Sequence, residues 1–252
     1  CFEAIIKNGI KRVVIGHLDP NPLVSGKGIK AMREAGIEVS LNVLEKECEE
    51  LNKIFFYYVS QGLPYVMMKY AMTLDGKIAT SAGQSKWITG EIARQKVHQD
   101  RSRFMAIMIG VETLILDDPQ LSVRLENGKN PIRIICDTHL RSPLASKIVS
   151  TATEIPTIIA TAESDPEKQA PFLKAGCEII LVSCLEGRLN LKELTKKLGE
   201  KGIDSIILEG GGTLNASALK AGIVQKVQTY IALKIFGGKE APSPVEGHGI
   251  EQ

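Results

Sequence analysis

The segment Ser205-Ile-Ile-Leu-Glu-Gly-Gly-Gly-Thr-Leu-Asn-Ala-Ser217 joins an apolar run to a helical pattern through three consecutive glycines. This order predicts a buried strand, a tight turn and a helix that begins near Thr213. A strand that leads directly into a helix is the repeating unit of α/β proteins with a parallel sheet.

Other apolar runs along the chain are also continuous rather than alternating. They read AIMIGV at 106–111, IRIIC at 132–136, TIIAT at 157–161 and EIILV at 178–182. Continuous runs indicate strands that are buried on both faces. Together with the helical spacing between them, these runs predict an α/β fold with a mostly parallel sheet and helices on both faces.

The composition is that of a folded protein of ordinary charge. The 252 residues are 44% hydrophobic and 24% charged, with a net charge of +2. These values exclude a disordered chain and argue against a nucleic-acid partner. The longest uncharged run, at 54–68, contains Gly62 and Pro64 and is too short to cross a bilayer. The five cysteines form no CxxC pair, which favours reduced thiols and a cytoplasmic location.

A change of pattern near residue 62 predicts two domains. Residues 44–59 have the spacing of one helix, and Gln61-Gly62-Leu63-Pro64 then breaks the chain. We expect one domain over residues 1–62 and a second over residues 63–252.

The glycine turn has the chemistry of an anion site. Gly211 and Gly212 have no Cβ atoms, so their backbone N–H groups can approach a phosphate closely. Thr213 lies near the start of the predicted helix, where the helix dipole favours a negative charge. Glu209 stands at the carboxyl end of the strand, which faces the ligand crevice in open α/β sheets. The alternative is a tight connection whose glycines only satisfy positive φ.

Two charged segments carry further candidates. Lys69, Asp75 and Lys77 surround a predicted turn at 75–76, near Trp87, the only tryptophan. The alternative here is a solvated hairpin tip with a core indole. Farther along the chain, three arginines are candidate fork donors to a sugar phosphate, unless they lie on the surface: Arg101, Arg124 and Arg133.

Six blocks taken together resemble the bifunctional riboflavin-biosynthesis deaminase/reductase family. They are KYAMTLDGKIAT, QSKWITG, GVETLILDDPQLSVR, PIRIICDTHLRSP, ILEGGGTLNASAL and KIFGGKEAPSPVEGHGI. The resemblance implies that residues 63–252 are most of a reductase domain with a dihydrofolate-reductase-like fold. It further implies reduction of 5-amino-6-(5-phosphoribosylamino)uracil, a small-molecule ribosylaminopyrimidine phosphate, with NADPH as the cofactor.

The same resemblance assigns site residues by their matching positions. Those that match NADPH-contacting positions are Ala71, Trp87, Thr113, Asp117, Thr138, Gly211, Gly212, Thr213, Leu214, Asn215, Ala216 and Ser217. Those that match substrate-contacting positions are Ser85, Arg101, Leu121, Arg124 and Glu209. For proton transfer the candidates are Asp75, Lys77 and Asp117. Thr138 and Arg141 suit the 2′-phosphate, and no acidic residue follows the glycines at the usual ribose-binding distance, which favours NADPH over NADH.

Residues 1–62 resemble the end of a cytidine-deaminase-like α/β domain, in which Cys1 matches the last zinc ligand. A zinc deaminase needs one His and two Cys ligands and a Glu in H-x-E. No histidine of this sequence is followed two residues later by Glu, and one ligand cannot hold zinc. We therefore expect deamination, and zinc, only in an intact deaminase domain.

Two alternatives to an active reductase follow from the same residues. One is a non-catalytic remnant that binds NADPH or a pyrimidine, and the other is a dihydrofolate-reductase-like enzyme with a different substrate. The apolar strand predicted at 226–235 would lie at a sheet edge, and an unpaired edge predicts a homodimer or a higher homo-oligomer.

Overall fold

A computed structural model describes residues 2–21, 24, 26–247 and 249 of the chain. The chain divides into two compact units, Cys1–Leu63 and Pro64–Gln252. No helix among the described residues is both long enough and apolar enough to cross a membrane.

The described residues of the first unit form four helices and a two-stranded parallel sheet. Its elements are α1 (Phe2–Lys7), β1 (Arg12–Val14), α2 (Lys27–Glu34), β2 (Glu38–Ser40), α3 (Glu45–Leu51) and α4 (Lys53–Gln61). The prediction of one helix over 44–59 is wrong, because the chain leaves helical geometry at Asn52 (φ −111°). There the Asn52 side-chain amide donates to the carbonyl of Cys48, a local bond that competes with helix continuation.

The second unit alternates strands and helices. Its elements are β3 (Tyr65–Thr73), α5 (Glu91–Arg103), β4 (Ala106–Gly110), α6 (Val111–Asp117), β5 (Ile132–Cys136), α7 (Lys147–Ser150), β6 (Thr157–Thr161), α8 (Pro166–Lys174), β7 (Glu178–Leu181), β8 (Cys184–Leu185), β9 (Arg188–Leu189), α9 (Leu191–Glu200), β10 (Ser205–Leu208), α10 (Gly212–Lys220) and β11 (Lys226–Ala232). Seven strands form one sheet in the order β11-β3-β10-β4-β5-β6-β7, and every neighbouring pair is parallel. The predicted α/β class is confirmed.

Both faces of the sheet are covered, as the continuous apolar runs predict. On β4, Ala106 and Met108 join one core cluster with residues of α9 and α10, while Ile107 and Ile109 join the other with residues of α6, α7 and α8. Successive side chains of a strand point to opposite faces, so an all-apolar strand requires helices on both sides.

The strand order brings distant parts of the chain to one edge. β10 lies between β3 and β4, although β3 and β4 come first and consecutively in the sequence. The connections run outward in both directions from this point, which makes it the topological switch point of the sheet. A crevice opens there at the carboxyl ends of the strands.

Candidate active site

A cleft of about 810 Å³ lies at the carboxyl ends of the central strands. It is lined by ten of the residues predicted to bind cofactor or substrate: Ser85, Thr113, Asp117, Thr138, Glu209, Gly211, Gly212, Thr213, Leu214 and Ser217. Other predicted residues do not line it: Ala71, Asp75, Lys77, Trp87, Arg101, Leu121, Arg124, Asn215 and Ala216.

The glycine bend forms the floor of the cleft. Gly211 has φ +81°, a left-handed conformation that favours glycine, and α10 begins at Gly212. A Cβ at Gly211 would lie 3.1 Å from the Thr113 hydroxyl, so α6 and the bend approach each other closely. Gly211 and Gly212 therefore bring the start of α10 to the cleft with no side chain of their own.

A buried ion pair sits directly before the bend. The Arg101 Nε and Nη2 atoms each donate to one carboxylate oxygen of Glu209 at 2.8 Å, and Lys69 Nζ lies 3.8 Å from the same carboxylate. The side chains of Arg101 and Glu209 are only 15% and 10% exposed. A bidentate pair of this kind fixes both groups in orientation as well as position.

The electrostatics of this cluster keep Glu209 ionised. Burial alone would raise its pKa, but the charges of Lys69 and Arg101 together lower the pKa of Glu209 to about 2. Burial likewise opposes the charged form of Arg101, and the carboxylate of Glu209 more than offsets it, so that the pKa of Arg101 is raised. Both groups are charged at neutral pH, and Glu209 does not donate a proton there.

The stabilisation from Glu209 should disappear in acid. Its pKa falls from 4.5 to about 2 on folding, so the stabilisation is complete above pH 4.5 and is lost as the pH falls toward 2. Urea unfolding of the wild type and of Glu209→Gln at pH 6 and pH 3 measures this. The difference in unfolding free energy between the wild type and Glu209→Gln should be about half as large at pH 3 as at pH 6. A constant difference would show that the carboxylate charge has no part in it.

Arg124 is anchored beside the same cluster. Its backbone N–H donates to Nδ1 of His98 at 3.3 Å, and its side chain is exposed. Burial, followed by the charges of Arg101 and Arg124, lowers the pKa of His98. Because Glu209 immediately precedes the bend, the guanidinium of Arg101 and the backbone of Arg124 lie at the same end of the sheet as the glycines.

The hypothesis that Arg133 binds a phosphate is wrong. Its side chain is fully buried and donates to the Thr151 and Thr157 hydroxyls and to the carbonyls of Ile148 and Ile155. Burial lowers the pKa of Arg133 to about 10. All of its donors point to protein oxygens, so this arginine holds α7 and the start of β6 together instead of facing a ligand.

The turn after β3 holds two of the residues predicted to transfer a proton, Asp75 and Lys77. The Asp75 carboxylate accepts hydrogen bonds from the Thr73 hydroxyl at 2.6 Å and the Gly237 amide at 2.7 Å, which lower its pKa to about 2. Lys77 Nζ donates to the carbonyl of Ala241 at 3.0 Å. These two side chains join the turn to residues 237–241. Their predicted part in proton transfer stays a prediction.

Three further predicted residues have clear surroundings. The alternative of a core indole is wrong, because Trp87 is 59% exposed and lies under the Arg94 guanidinium, 4.6 Å from its ring centre. Leu121 is 5% exposed and packs in the core beside α6, which leaves its backbone for any ligand contact. The Asn215 Oδ1 atom is buried and has no hydrogen-bond partner in the described part of the chain.

Sequence reasoning missed Arg188 and the role of Lys69. Lys69 was singled out only as part of a charged turn, but it lies in the middle of β3, directly after four buried residues, and a lysine within an otherwise apolar strand was a usable signal. Arg188 Nη1 donates to the Thr213 carbonyl at 3.3 Å and the Ser217 hydroxyl at 3.0 Å, and no local pattern indicated this. Arg141 lines the cleft and pairs with Glu112 at 2.6 Å.

Metal ligation has no support among the residues described. Within that part of the chain, no three His, Cys, Asp or Glu side chains are grouped closely enough to hold an ion. Cys1, the predicted zinc ligand of an intact deaminase, lies outside the described residues, and its role stays a prediction.

A crevice at the carboxyl ends of a parallel sheet, lined by a glycine bend and by Glu209 of a buried ion pair, has the position of the ligand site in α/β enzymes. The family model described as the RibD C-terminal domain matches residues 64–252. The chain belongs to this family, as its sequence blocks predict.

Curated relatives support the same assignment. The riboflavin biosynthesis protein RibD of Actinobacillus pleuropneumoniae is 50% identical over 252 residues, which are 100% of this chain and 67% of the relative. The protein of the same name from Aquifex aeolicus (strain VF5) is 45% identical over 238 residues, or 94% of this chain and 65% of the relative. The chain thus spans about two thirds of the length of these relatives.

Solved structures confirm the fold. A diaminohydroxyphosphoribosylaminopyrimidine deaminase/5-amino-6-(5-phosphoribosylamino)uracil reductase from Thermotoga maritima is similar with a TM-score of 0.82 at 37% identity, over 94% of this chain and 64% of that one. RibD of Acinetobacter baumannii gives a TM-score of 0.84 at 32% identity, over 100% of this chain and 68% of that one. Similarity at this level supports an oxidoreductase of riboflavin biosynthesis.

Proposed function

We propose that this chain reduces 5-amino-6-(5-phosphoribosylamino)uracil to its ribitylamino counterpart, with NADPH as the reductant. The observation that carries the proposal is the juxtaposition of the Arg101–Glu209 pair with the glycine bend at the start of α10. The glycine bend suits the phosphate groups of the coenzyme. The cations around the Arg101–Glu209 pair suit the charged substrate. The relatives and solved structures of this family support the same reaction.

The cleft has the groups that NADPH requires. Gly211, Gly212 and Thr213 would hold the pyrophosphate at the start of α10, and Thr138 with Arg141 would hold the 2′-phosphate at another part of the lining. When bound, NADPH supplies a hydride from its nicotinamide C4 to C1′ of the substrate.

The charged cluster suits the ribose phosphate. Lys69, Arg101 and Arg124 carry three positive charges against the one negative charge of Glu209, so the cluster is left positive at neutral pH. Arg124 is exposed, and its guanidinium is the group best placed to meet the phosphate from solution. Ring opening at C1′ needs a proton source, and Asp117 is the candidate among the three that lines the cleft.

Turnover and one substitution test this assignment. The purified protein should oxidise NADPH only when the ribosylaminopyrimidine phosphate is present. Arg124→Ala should raise KM for that substrate about tenfold or more while kcat changes little, because a phosphate contact made equally in ground and transition states is lost. Arg103→Ala is the matched control, because Arg103 is also an exposed arginine and lies at the end of α5. A KM unchanged by Arg124→Ala would contradict the substrate assignment.

Assembly and location complete the proposal. We expect a homo-oligomer, since β11 is an edge strand with Val227 and Ile231 about half exposed. The five cysteines without a CxxC pair favour a location in the cytoplasm. Light scattering on the purified chain measures its mass directly. We expect this chain not to catalyse deamination, because its sequence has no H-x-E motif.

A further inference from the structure

The segment Pro242–Glu246, here called the strap, lies against the start of α10. The Glu246 amide donates to the Gly212 carbonyl at 3.1 Å, and the Asn215 side-chain amide donates to the Pro244 carbonyl at 2.8 Å. At its other end, the Ile78 amide donates to the Pro242 carbonyl at 3.0 Å. These bonds hold the strap in one place over the glycine bend.

The strap brings a carboxylate to the bend. The Thr213 hydroxyl donates to Glu246 Oε2 at 3.2 Å, and Glu246 is one of the residues that line the cleft. A Cβ at Gly212 would lie 2.5 Å from Cγ of Glu246 and 2.7 Å from its carboxyl carbon. The same Cβ would lie 2.7 Å from the Ser243 carbonyl oxygen, so a glycine at 212 lets the backbone of the strap pass close to α10.

A carboxylate in this position takes the place of a phosphate. The start of a helix attracts one negative charge readily, and a second one beside it is repelled. The pyrophosphate of NADPH, placed here by the proposed function, carries two negative charges. Glu246 and the coenzyme therefore compete for the Thr213 hydroxyl and for the field of α10.

We propose that Glu246 sets the coenzyme affinity of this enzyme by occupying the position that the pyrophosphate would take in the cleft. NADPH binding then requires the carboxylate to leave Thr213, while the backbone bonds of the strap can remain. The inference rests on the proposed function and assigns Glu246 as a residue that weakens coenzyme binding. No contact between Glu246 and the substrate is required.

The test compares variants that separate charge from shape. Glu246→Gln keeps the size of the side chain and removes its charge, and it should tighten NADPH binding about threefold to tenfold in a fluorescence titration. Glu246→Asp keeps the charge and should bind NADPH within about twofold of the wild type. Glu240→Gln makes the same change in net charge at an exposed position outside the cleft lining and should leave Kd unchanged.

Inorganic pyrophosphate, titrated by calorimetry, is the second probe. It should bind Glu246→Gln more tightly than the wild type by a similar factor. An NADPH Kd that is unchanged or weakened in Glu246→Gln would overturn the inference, while turnover of the wild type would leave the proposed function intact. A wild type that neither binds nor oxidises NADPH would defeat the proposed function. Pyrophosphate affinity would then decide the inference, and equal or absent binding in both proteins would overturn it.

Discussion

Exchanging Glu209 for glutamine should lower the free energy of unfolding by about 3–5 kcal/mol and kcat/KM by about a hundredfold. The carboxylate is the partner of two cations, Arg101 and Lys69, and it is only 10% exposed. Its removal leaves positive charge uncompensated in a poorly solvated place, and the Arg101 guanidinium loses the bidentate contact that orients it. Urea unfolding and steady-state kinetics measure the two effects.

Two controls separate charge compensation from catalysis. In the double variant Glu209→Gln/Arg101→Met, part of the stability should return, because the buried cation has also been removed, but activity should not. Glu200 is exposed at the end of α9, and Glu200→Gln loses only a 4.0 Å surface pair with Lys196, so it should change stability by less than about 1 kcal/mol. Equal stability of Glu209→Gln and the wild type at neutral pH would refute the account of the cluster.

Arg133→Met should be the second large loss, about 3–5 kcal/mol, with little direct effect on the chemistry. Its guanidinium satisfies the carbonyls of Ile148, Thr151 and Ile155 and the hydroxyl of Thr157 at 2.8–3.0 Å. Methionine fills much of the volume but donates no hydrogen bond. The Thr151 carbonyl keeps the amides of Glu154 and Ile155, and the Ile155 carbonyl keeps the Thr157 hydroxyl, but each of the four oxygens loses its bond to the guanidinium. Thermal unfolding measures the loss, and KM should stay near the wild-type value in the fraction that remains folded.

The comparison for Arg133 is a change of the same chemistry at the surface. Arg103→Met removes an exposed guanidinium and should cost less than about 0.5 kcal/mol. Arg133→Lys keeps the charge, but a single ammonium cannot reach all of these oxygens, so it should recover only a minor part of the loss. Full recovery with lysine would mean that charge alone matters at this position.

The fold could be predicted from the sequence because its signal is local. The stretches 106–109 and 134–136 are apolar at every position, and only a strand covered on both faces buries them fully. The break at Asn52 could not be predicted, since it involves a hydrogen bond from one side chain to the Cys48 carbonyl. Hydrophobic periodicity indicates which face of a helix is apolar, but it does not indicate which hydrogen bonds a polar side chain makes.

The part of the site that directly follows a strand could be predicted from the sequence. Glu209 and the glycine bend follow β10 directly, so their place at the crevice follows from the direction of the strand. The pairing of Glu209 with Arg101 joins residues 108 positions apart and depends on how α5 packs. The burial of Arg133 could not be predicted either. An arginine in an apolar run is compatible with exposure or burial, and only the oxygens of α7 and the start of β6 determine which.

The insertion of β10 between β3 and β4 has a consequence for synthesis on the ribosome. The first two strands of the sheet to emerge are not neighbours, and they must leave room for a strand that is made about one hundred residues later. Lys69 on the first strand and the bend after β10 therefore meet only after residue 212 has been translated. A shorter nascent chain lacks the glycines at which the proposed coenzyme would bind.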